Sequence, residues 1–371
     1  MEIPENLKKR YSFDKLSALE AQRKAHEIAF APVVFQVNRL MVKWGILEAM
    51  VRSEDGLDLQ DVAALIKPVH ATYEQAIYSA KILCESSLTS GTILLNEKDK
   101  FVISKIGFFL LNDPLVKVNM DFVNDVNYLG LFELEKSLKE GKPQGLKTFG
   151  DWATIYEGLS ELPPDVQQSW FAFDHYYSDN SFNEALQIVF ADKSIRNLLD
   201  IGGNTGRWAL KVVDYNAEAN VTVFDLPQQV AMLANNIREN KNADRISTIA
   251  GDVLNTQTAF PADFDAYWVS QFLDCFSEEQ VISILKRICE AMDRGKSKLY
   301  IMETLWDRQR FETAAFCLAQ TSVYFTALAN GNSKMFYSND LIRMIESANL
   351  AVETIHDNIG KGHSILVCRK K

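Results

Sequence analysis

Cysteine is scarce in this chain of 371 residues, and no CxxC pair or Cys/His cluster occurs. The usual zinc-site spacings are therefore missing, and no disulfide framework is expected. The five cysteines are Cys84, Cys275, Cys289, Cys317 and Cys368. The chain also lacks a run of about 18 apolar residues, so no membrane span is expected. Its first fifteen residues, MEIPENLKKRYSFDK, lack the apolar core of a signal peptide. These absences predict a cytoplasmic protein without a metal.

Basic residues are in deficit, since 39 Lys and Arg stand against 49 Asp and Glu and give a formal net charge of −10. Nucleic acids and anionic membranes both require a basic face, so neither is expected as the main partner. The hydrophobic content of 47% and the charged content of 24% are those of a globular protein. The length predicts two domains.

The N-terminal part has the pattern of a winged helix. Residues 15–50 place apolar side chains at steps of three and four, which is typical of helices. A turn at Gly56 leads to a short helix that Pro68 ends, and another helix starts near Thr72. The segment GTILLNEKDKFVIS then reads as two short strands around a charged turn.

The third of these helices lacks the basic surface of a DNA-reading helix. It carries Glu74, Lys81 and Glu85 but no arginine. Dimerisation through the apolar first helices is therefore the favoured role of this domain.

The character of the sequence changes near residue 186. Residues 113–185 are mainly helical in pattern and include the aromatic stretch WFAFDHYYSDNSF. Residues 186–371 contain the short apolar runs NLLDIGG, VTVFDLP, ISTIAGDV, AYWVSQFLD, KLYIMETLW and HSILVCRK, most of them separated by helix-like segments. This alternation predicts an α/β fold, a Rossmann-like, doubly wound parallel sheet with its site at the carboxyl ends of the strands. We therefore predict a winged-helix dimerisation domain (1–112), a helical connector that contributes to the substrate pocket (113–185) and a cofactor-binding domain (186–371).

A glycine-rich turn follows the first strand of the sheet, in NLLDIGGNTGRWAL. Gly202, Gly203 and Gly206 permit positive φ and a close approach of the backbone to a ligand. The turn fails the dinucleotide pattern GxGxxG and lacks the GK[ST] of a phosphate-binding loop. Asp200, immediately ahead of the glycines, would repel a pyrophosphate and favour a cationic group.

Two further acids end the next two strands. Asp225 follows the second strand, where an acid can accept two hydroxyls of a ribose. Asp252 follows the third strand, where it is placed to contact an adenine amino group. With Asp200, they imply a ligand that has a ribose, an adenine and an ammonium and needs no phosphate. S-adenosylmethionine satisfies this description.

The ordered motifs DIGGNTG, FDLP, AGDV, FSEEQ and GNSKMFYSNDLIRMIESANL resemble those of the small-molecule O-methyltransferases of plant phenylpropanoid and bacterial secondary metabolism. The resemblance covers nearly the full length and implies a homodimeric, S-adenosylmethionine-dependent methyltransferase that releases S-adenosylhomocysteine. Carried over by position, the cofactor residues are Asp200, Gly202, Gly203, Gly206, Asp225, Leu226, Asp252, Val253, Ser270 and Gln271. Asn204 replaces the family's third glycine, and because Asn tolerates the left-handed region we expect the turn to be kept.

The catalytic position departs from the family. The resemblance implies a His-Asp pair just before FSEE, where this chain has Asp274 and Cys275. The acid that would orient the histidine is kept as Glu303, and a third acid is replaced by Met335. An ordinary Asp is a poor base for a phenol of pKa about 10. We therefore expect burial beside Glu303 to raise the pKa of Asp274 and make it a better base.

Other roles at this position stay open. Asp274 could hold a substrate hydroxyl or ammonium without taking its proton, and His175 could be the base from the opposite wall. Ser277 and Gln280 form an S-x-x-Q capping box, so Asp274 is not needed as a helix cap.

Aromatic stretches supply the expected acceptor pocket. Its candidates are Trp170, Phe173, Tyr176, Tyr177, Phe316, Gln320, Tyr324 and Met335. Such a pocket suits a flat aromatic or polyene acceptor, free or tethered to a carrier protein. O-methylation of an aromatic or phenolic secondary metabolite is the favoured function. The alternatives are C-methylation of an aromatic or polyketide/aryl-polyene-type intermediate, and a cofactor-binding, non-catalytic partner subunit.

Overall fold

The computed structural model describes residues 5–178 and 180–371. The chain forms two compact units, Met1–Val123 and Asn124–Lys371. The boundary lies beyond the predicted one at residue 112. Residues 124–185 belong to the second unit and do not form a compact unit of their own.

The first unit is mainly helical, as predicted. Its helices are α1 (Glu5–Tyr11), α2 (Ala18–Ala29), α3 (Ala31–Lys43), α4 (Ile46–Arg52), α5 (Leu59–Ile66), α6 (Tyr73–Thr89), α7 (Lys105–Asn112) and α8 (Pro114–Asp121). The apolar periodicity of residues 15–50 is divided among α2, α3 and α4. Pro32 stands in the first turn of α3, and Gly45 takes a left-handed φ of 72° before α4. Strands β1 (Ile93–Leu95) and β2 (Phe101–Ile103) pair antiparallel, which confirms the β-ribbon.

The second unit contains a seven-stranded sheet. Its strands are β3 (Asn197–Ile201), β4 (Asn220–Asp225), β5 (Ile246–Ala250), β6 (Ala266–Ser270), β7 (Lys298–Thr304), β8 (Leu350–Ile359) and β9 (His363–Lys370). Its helices are α9 (Leu134–Glu140), α10 (Ile155–Gly158), α11 (Pro164–Ser178), α12 (Phe182–Val189), α13 (Arg207–Tyr215), α14 (Pro227–Ile237), α15 (Glu278–Ala291), α16 (Glu312–Tyr324) and α17 (Ser338–Ser347). Short 3-10 and π-helical turns connect several of them.

The strand order is β5-β4-β3-β6-β7-β9-β8, and β3 to β7 run parallel. This confirms the predicted parallel, doubly wound part of the sheet. Strand β9 is antiparallel to both β7 and β8, so the complete sheet is mixed. The sequence did not reveal β8, because half of its ten residues are polar, only its two end residues are buried, and its pairing is interrupted twice. The strand order reverses between β3 and β6, which is where an open α/β sheet forms its ligand crevice.

Apolar side chains cover both faces of the sheet, as a doubly wound fold requires. Leu199, Ile201 and Val269 pack on one face with α15 and α17. Leu198 and Trp268 pack on the other face with α12 and α13. Among the described residues, no helix has the length and hydrophobicity to cross a membrane.

Candidate active site

A cavity lies at the carboxyl ends of β3 and β6, at the reversal of strand order. It is lined by Asp174, His175, Ser178, Phe182, Asp200, Gly202, Gly203, Asn204, Thr205, Arg207, Trp208, Trp268, Ser270 and Gln271. Five of the predicted cofactor residues therefore meet here: Asp200, Gly202, Gly203, Ser270 and Gln271.

The glycine-rich turn has the backbone that its sequence suggests. Gly202 and Gly206 have φ values of 76° and 80°, and Asn204 takes a left-handed φ of 50°, so the turn survives without the family's third glycine. A Cβ atom at Gly203 would lie 2.5 Å from Oδ2 of Asp200. Position 203 therefore leaves room for the carboxylate of Asp200.

Asp200 is the most unusual acid of this cavity. Its side chain is 2% exposed, and within the described chain Oδ2 has no hydrogen-bond partner. Burial, and next the charge of Asp225, raise the pKa of Asp200 to about 8. Oε1 of Gln271 is likewise buried without a partner among the described residues. Two unused acceptors fit a ligand that brings N–H or O–H donors.

Asp225 ties the glycine turn to the end of β4. Its Oδ2 accepts a hydrogen bond from the Asn204 amide at 2.7 Å, and its Oδ1 accepts one from the Leu226 amide at 2.7 Å. Burial raises the pKa of Asp225, and these two hydrogen bonds oppose the rise. Each oxygen keeps further acceptor capacity, which hydroxyls of a ligand could use.

The pair predicted for adenine lies outside the lining. Val253 is 7% exposed and packs in the hydrophobic core, and its place beside the adenine stays a prediction. Asp252 is exposed, and its Oδ1 accepts a hydrogen bond from the Leu254 amide at 2.8 Å.

Two stacked indoles wall the cavity. The rings of Trp208 and Trp268 lie 4.2 Å apart at 15°, and Phe182 packs on Trp208 at 5.4 Å. The sequence reading missed both tryptophans because each one also looks like an ordinary core residue of a helix or strand.

A buried acidic cluster lies just past β6. Asp274 occupies the short turn Leu273–Cys275, directly before α15, and is 6% exposed. The predicted capping box of Ser277 and Gln280 is present at the start of α15. Burial, together with the charge of Asp174, raises the pKa of Asp274 to about 7, although the nearby Cys275 thiol opposes the rise.

Glu303, at the end of β7, is 1% exposed. Its Oε1 accepts hydrogen bonds from the amides of Phe272 and Leu273, at 3.1 and 2.9 Å, which fixes the chain just before Asp274. Burial and the charge of Asp274 raise the pKa of Glu303 well above its usual range. Two buried carboxylates repel each other, so the ionisation of one disfavours the ionisation of the other.

The sequence reading also missed Asp174 and Tyr156. Asp174 stands directly before the predicted His175. It lines the cavity, and its charge raises the pKa of Asp274. Tyr156 lies on the short α10, and Cys275 and Asp274 contribute to raising the pKa of its phenol. Only the aromatic context of Asp174 was a sequence signal. For Tyr156, no signal was present.

The predicted pocket residues are only partly brought together. Trp170 donates its indole N–H to the hydroxyl of Tyr324 at 2.7 Å, and Tyr324 shares the surroundings of Asp274. Phe316 is 63% exposed and Gln320 is exposed on α16, and their role in the pocket stays a prediction.

The other pocket candidates lie on α11 and after α16. Tyr177 is buried, with Phe173 at 5.2 Å and Tyr176 at 5.8 Å from its ring. Met335 is buried, and the Thr304 hydroxyl points at its sulfur at 3.3 Å. His175 packs on Phe171 at 5.8 Å and lines the cavity with Asp200. In the part of the chain that the structure describes, no group of three or more His, Cys, Asp or Glu residues could hold a metal ion.

Family models match both units. Residues 22–101 match the Dimerisation2-like domain, and residues 133–344 match the O-methyltransferase domain. The second match spans more than half of the chain, which therefore belongs to the O-methyltransferase family.

Individual relatives are distant. The chain is 34% identical over 117 residues to "O-methyltransferase pgmB" of Aspergillus terreus, which covers 29% of this chain and only 30% of that protein. It is 21% identical over 295 residues to "Bacteriochlorophyllide d C-20 methyltransferase" of Chlorobaculum tepidum, which covers 78% of this chain and 80% of that one. The structure of human N-acetylserotonin methyltransferase in complex with SAM is similar in fold, with a TM-score of 0.63 at 17% identity over 97% of this chain and 99% of that one.

Proposed function

We propose that this chain is an S-adenosylmethionine-dependent methyltransferase that methylates a hydroxyl of an aromatic secondary metabolite. The observation that carries the proposal is the unpartnered Oδ2 of Asp200, buried in the cavity beside the glycine turn. A buried acceptor without a partner is costly, and a ligand ammonium would complete it with a charge-assisted hydrogen bond.

The cavity residues, together with Asp225 beside the glycine turn, suit the parts of this cofactor. Asp200 would hold the ammonium and Asp225 the ribose hydroxyls, while Gln271 offers a further acceptor at the end of β6. Asp252 is too exposed to be assigned from its side chain, so the adenine contact stays a prediction. When bound, S-adenosylmethionine supplies a methyl group already activated by its sulfonium. The chain then has to align the acceptor and deal with its proton.

We propose that Asp274 takes the proton from the acceptor hydroxyl. Taking a proton from a phenol of pKa about 10 onto an ordinary Asp is uphill by about six units, or roughly 8 kcal/mol. Burial raises the pKa of Asp274 to about 7, which makes this proton transfer less unfavourable. Burial therefore supplies much of the basicity that the missing histidine would have provided. Glu303 positions this base by accepting from the amides of Phe272 and Leu273.

C-methylation is the second candidate, because the C-20 methyltransferase of Chlorobaculum tepidum aligns over most of this chain. In that reaction Asp274 would take a proton from a hydroxyl next to the reacting carbon.

The experiment combines binding with labelled transfer. Calorimetry should detect binding of S-adenosylmethionine and S-adenosylhomocysteine to the wild-type protein and weaker binding to Asp200→Asn. A panel of phenols incubated with methyl-labelled cofactor should give labelled product, and the site of the label separates O- from C-methylation. No binding of either form of the cofactor would refute the proposal, and binding without transfer would favour a non-catalytic partner subunit.

We further propose a homodimer built on the first unit. Leu19, Ile28 and Phe30 are 78%, 76% and 59% exposed, and the matching family domain is described as Dimerisation2-like. Light scattering at micromolar concentration should give twice the chain mass of 42.0 kDa. A monomer at that concentration would contradict the proposal.

A further inference from the structure

We propose that the hydroxyl of Tyr156 contacts the methyl acceptor and orients its reacting hydroxyl against Asp274. The inference rests on the proposed function and deepens it, because it defines the acceptor group as one that both donates and accepts a hydrogen bond.

The hydroxyl of Tyr156 is buried and has no strong partner. Among the described residues it makes no hydrogen bond of ordinary geometry. This hydroxyl interacts with the thiol of Cys275, and a thiol is a weak hydrogen-bond partner. That thiol itself points at Oδ1 of Asp274, at 3.7 Å. A buried polar group left in this state calls for an explanation, and a bound ligand is a direct one.

Tyr324 provides an internal comparison. Cys275 and Asp274 also contribute to raising the pKa of its phenol, so both tyrosines lie near the same two residues. The hydroxyl of Tyr324, however, accepts the indole N–H of Trp170 at 2.7 Å. The hydroxyl of Tyr324 is therefore held by the fold, whereas the buried hydroxyl of Tyr156 has only the weak contact with the Cys275 thiol.

The chemistry of Tyr156 fixes the kind of contact. Burial raises the pKa of its phenol well above the usual value of 10, so the hydroxyl keeps its proton and cannot serve as the base. It can donate to a lone pair of an acceptor oxygen whose own proton points to Asp274. A hydroxyl satisfies both contacts, whereas a methyl ether has no proton left to offer Asp274. The same pair would therefore bind the acceptor more tightly than the methylated product.

The test compares Tyr156→Phe with Tyr324→Phe. In thermal unfolding without ligands, Tyr156→Phe should leave the Tm unchanged or raise it, because it removes an unpaired buried hydroxyl. Tyr324→Phe should lower the Tm, because it leaves the Trp170 N–H unpaired. Calorimetry then measures catechol, as a hydroxyl-bearing probe, against each protein saturated with S-adenosylhomocysteine. Tyr156→Phe should weaken catechol binding about tenfold and leave the affinity for S-adenosylhomocysteine unchanged.

Three results would overturn the inference. The hydroxyl is structural if Tyr156→Phe lowers the Tm as much as Tyr324→Phe does. It does not contact the acceptor if catechol binds the wild type and Tyr156→Phe equally, or if the wild type does not bind catechol. The affinity for S-adenosylhomocysteine is measured separately, and its absence in the wild type would be a failure of the proposed function itself.

Discussion

Replacing Asp200 by Asn should stabilise the ligand-free protein and weaken its binding of S-adenosylmethionine. In the folded state the pKa of Asp200 is raised to about 8, against an ordinary value near 3.9 in the unfolded chain. The folded protein therefore binds more protons than the unfolded chain between these values, so stability falls as the pH rises from about 4 to about 8. Asn has no proton to lose and escapes this fall.

The size of the effect follows from the pKa. Between pH 5.5 and pH 8, about 2.5 units at 1.36 kcal/mol each give roughly 3 kcal/mol. The difference in the free energy of unfolding between Asp200→Asn and the wild type should therefore increase by about 3 kcal/mol, in favour of the variant, from pH 5.5 to pH 8. For a unit of this size the gain corresponds to a relative rise in Tm of about 6–12 °C.

Thermal unfolding at pH 5.5, 7.0 and 8.5, without cofactor, measures the gain. Asp252→Asn is the matched control, because this acid also follows a strand of the same sheet but is exposed, and it should show no such trend. Calorimetry at pH 7.5 should show S-adenosylmethionine binding Asp200→Asn about ten- to a hundredfold more weakly, which is the value of a charged hydrogen bond. A Tm difference that stays constant across the three pH values would refute the reasoning on burial. An unchanged affinity would refute the ammonium contact.

Three further outcomes are expected at the same site. With an acceptor from the labelled panel, kcat of the wild type should rise with pH through about 7 as Asp274 ionises. Asp274→Asn should lower kcat about 10²–10⁴-fold and flatten this pH profile. A variant whose kcat still rises with pH would contradict the assignment of Asp274 as the base. Gly203→Ala should weaken the binding of S-adenosylmethionine more than tenfold, because the added Cβ would lie 2.5 Å from Oδ2 of Asp200. Wild-type affinity in calorimetry would show that this close approach does not matter for binding. His175→Ala should change the KM for S-adenosylmethionine but keep the rise of kcat through pH 7, since His175 lines the same cavity as Asp200, the proposed cofactor site. Loss of that rise would make His175 the base.

The sequence predicted the parts of the site that depend on local pattern. The glycine turn, the acids at the ends of β3 and β4 and the capping box of α15 each follow from a few adjacent residues. The turn even kept its left-handed backbone at Asn204, as the residue type allowed. These features were predictable because short-range geometry determines them.

The parts that the sequence missed depend on contacts between distant segments. Tyr156 and Asp174 reach Asp274 from α10 and α11, and nothing in their local sequence marks this contact. Phe316 has the helical spacing of a pocket residue, but the packing of α16 leaves it exposed. Strand β8 was not predicted, because its polar residues break the apolar pattern of a strand. Its place at an edge of the sheet accommodates them.

The paired indoles of Trp208 and Trp268 give the protein a built-in optical signal. Two nearly parallel rings 4.2 Å apart interact electronically, so their near-ultraviolet circular dichroism arises from the pair and not from either ring alone. Both rings line the same cavity as Asp200. A small molecule that enters this cavity changes the surroundings of the coupled chromophore. Occupancy can therefore be followed in the unmodified chain, without a label and before any acceptor has been identified.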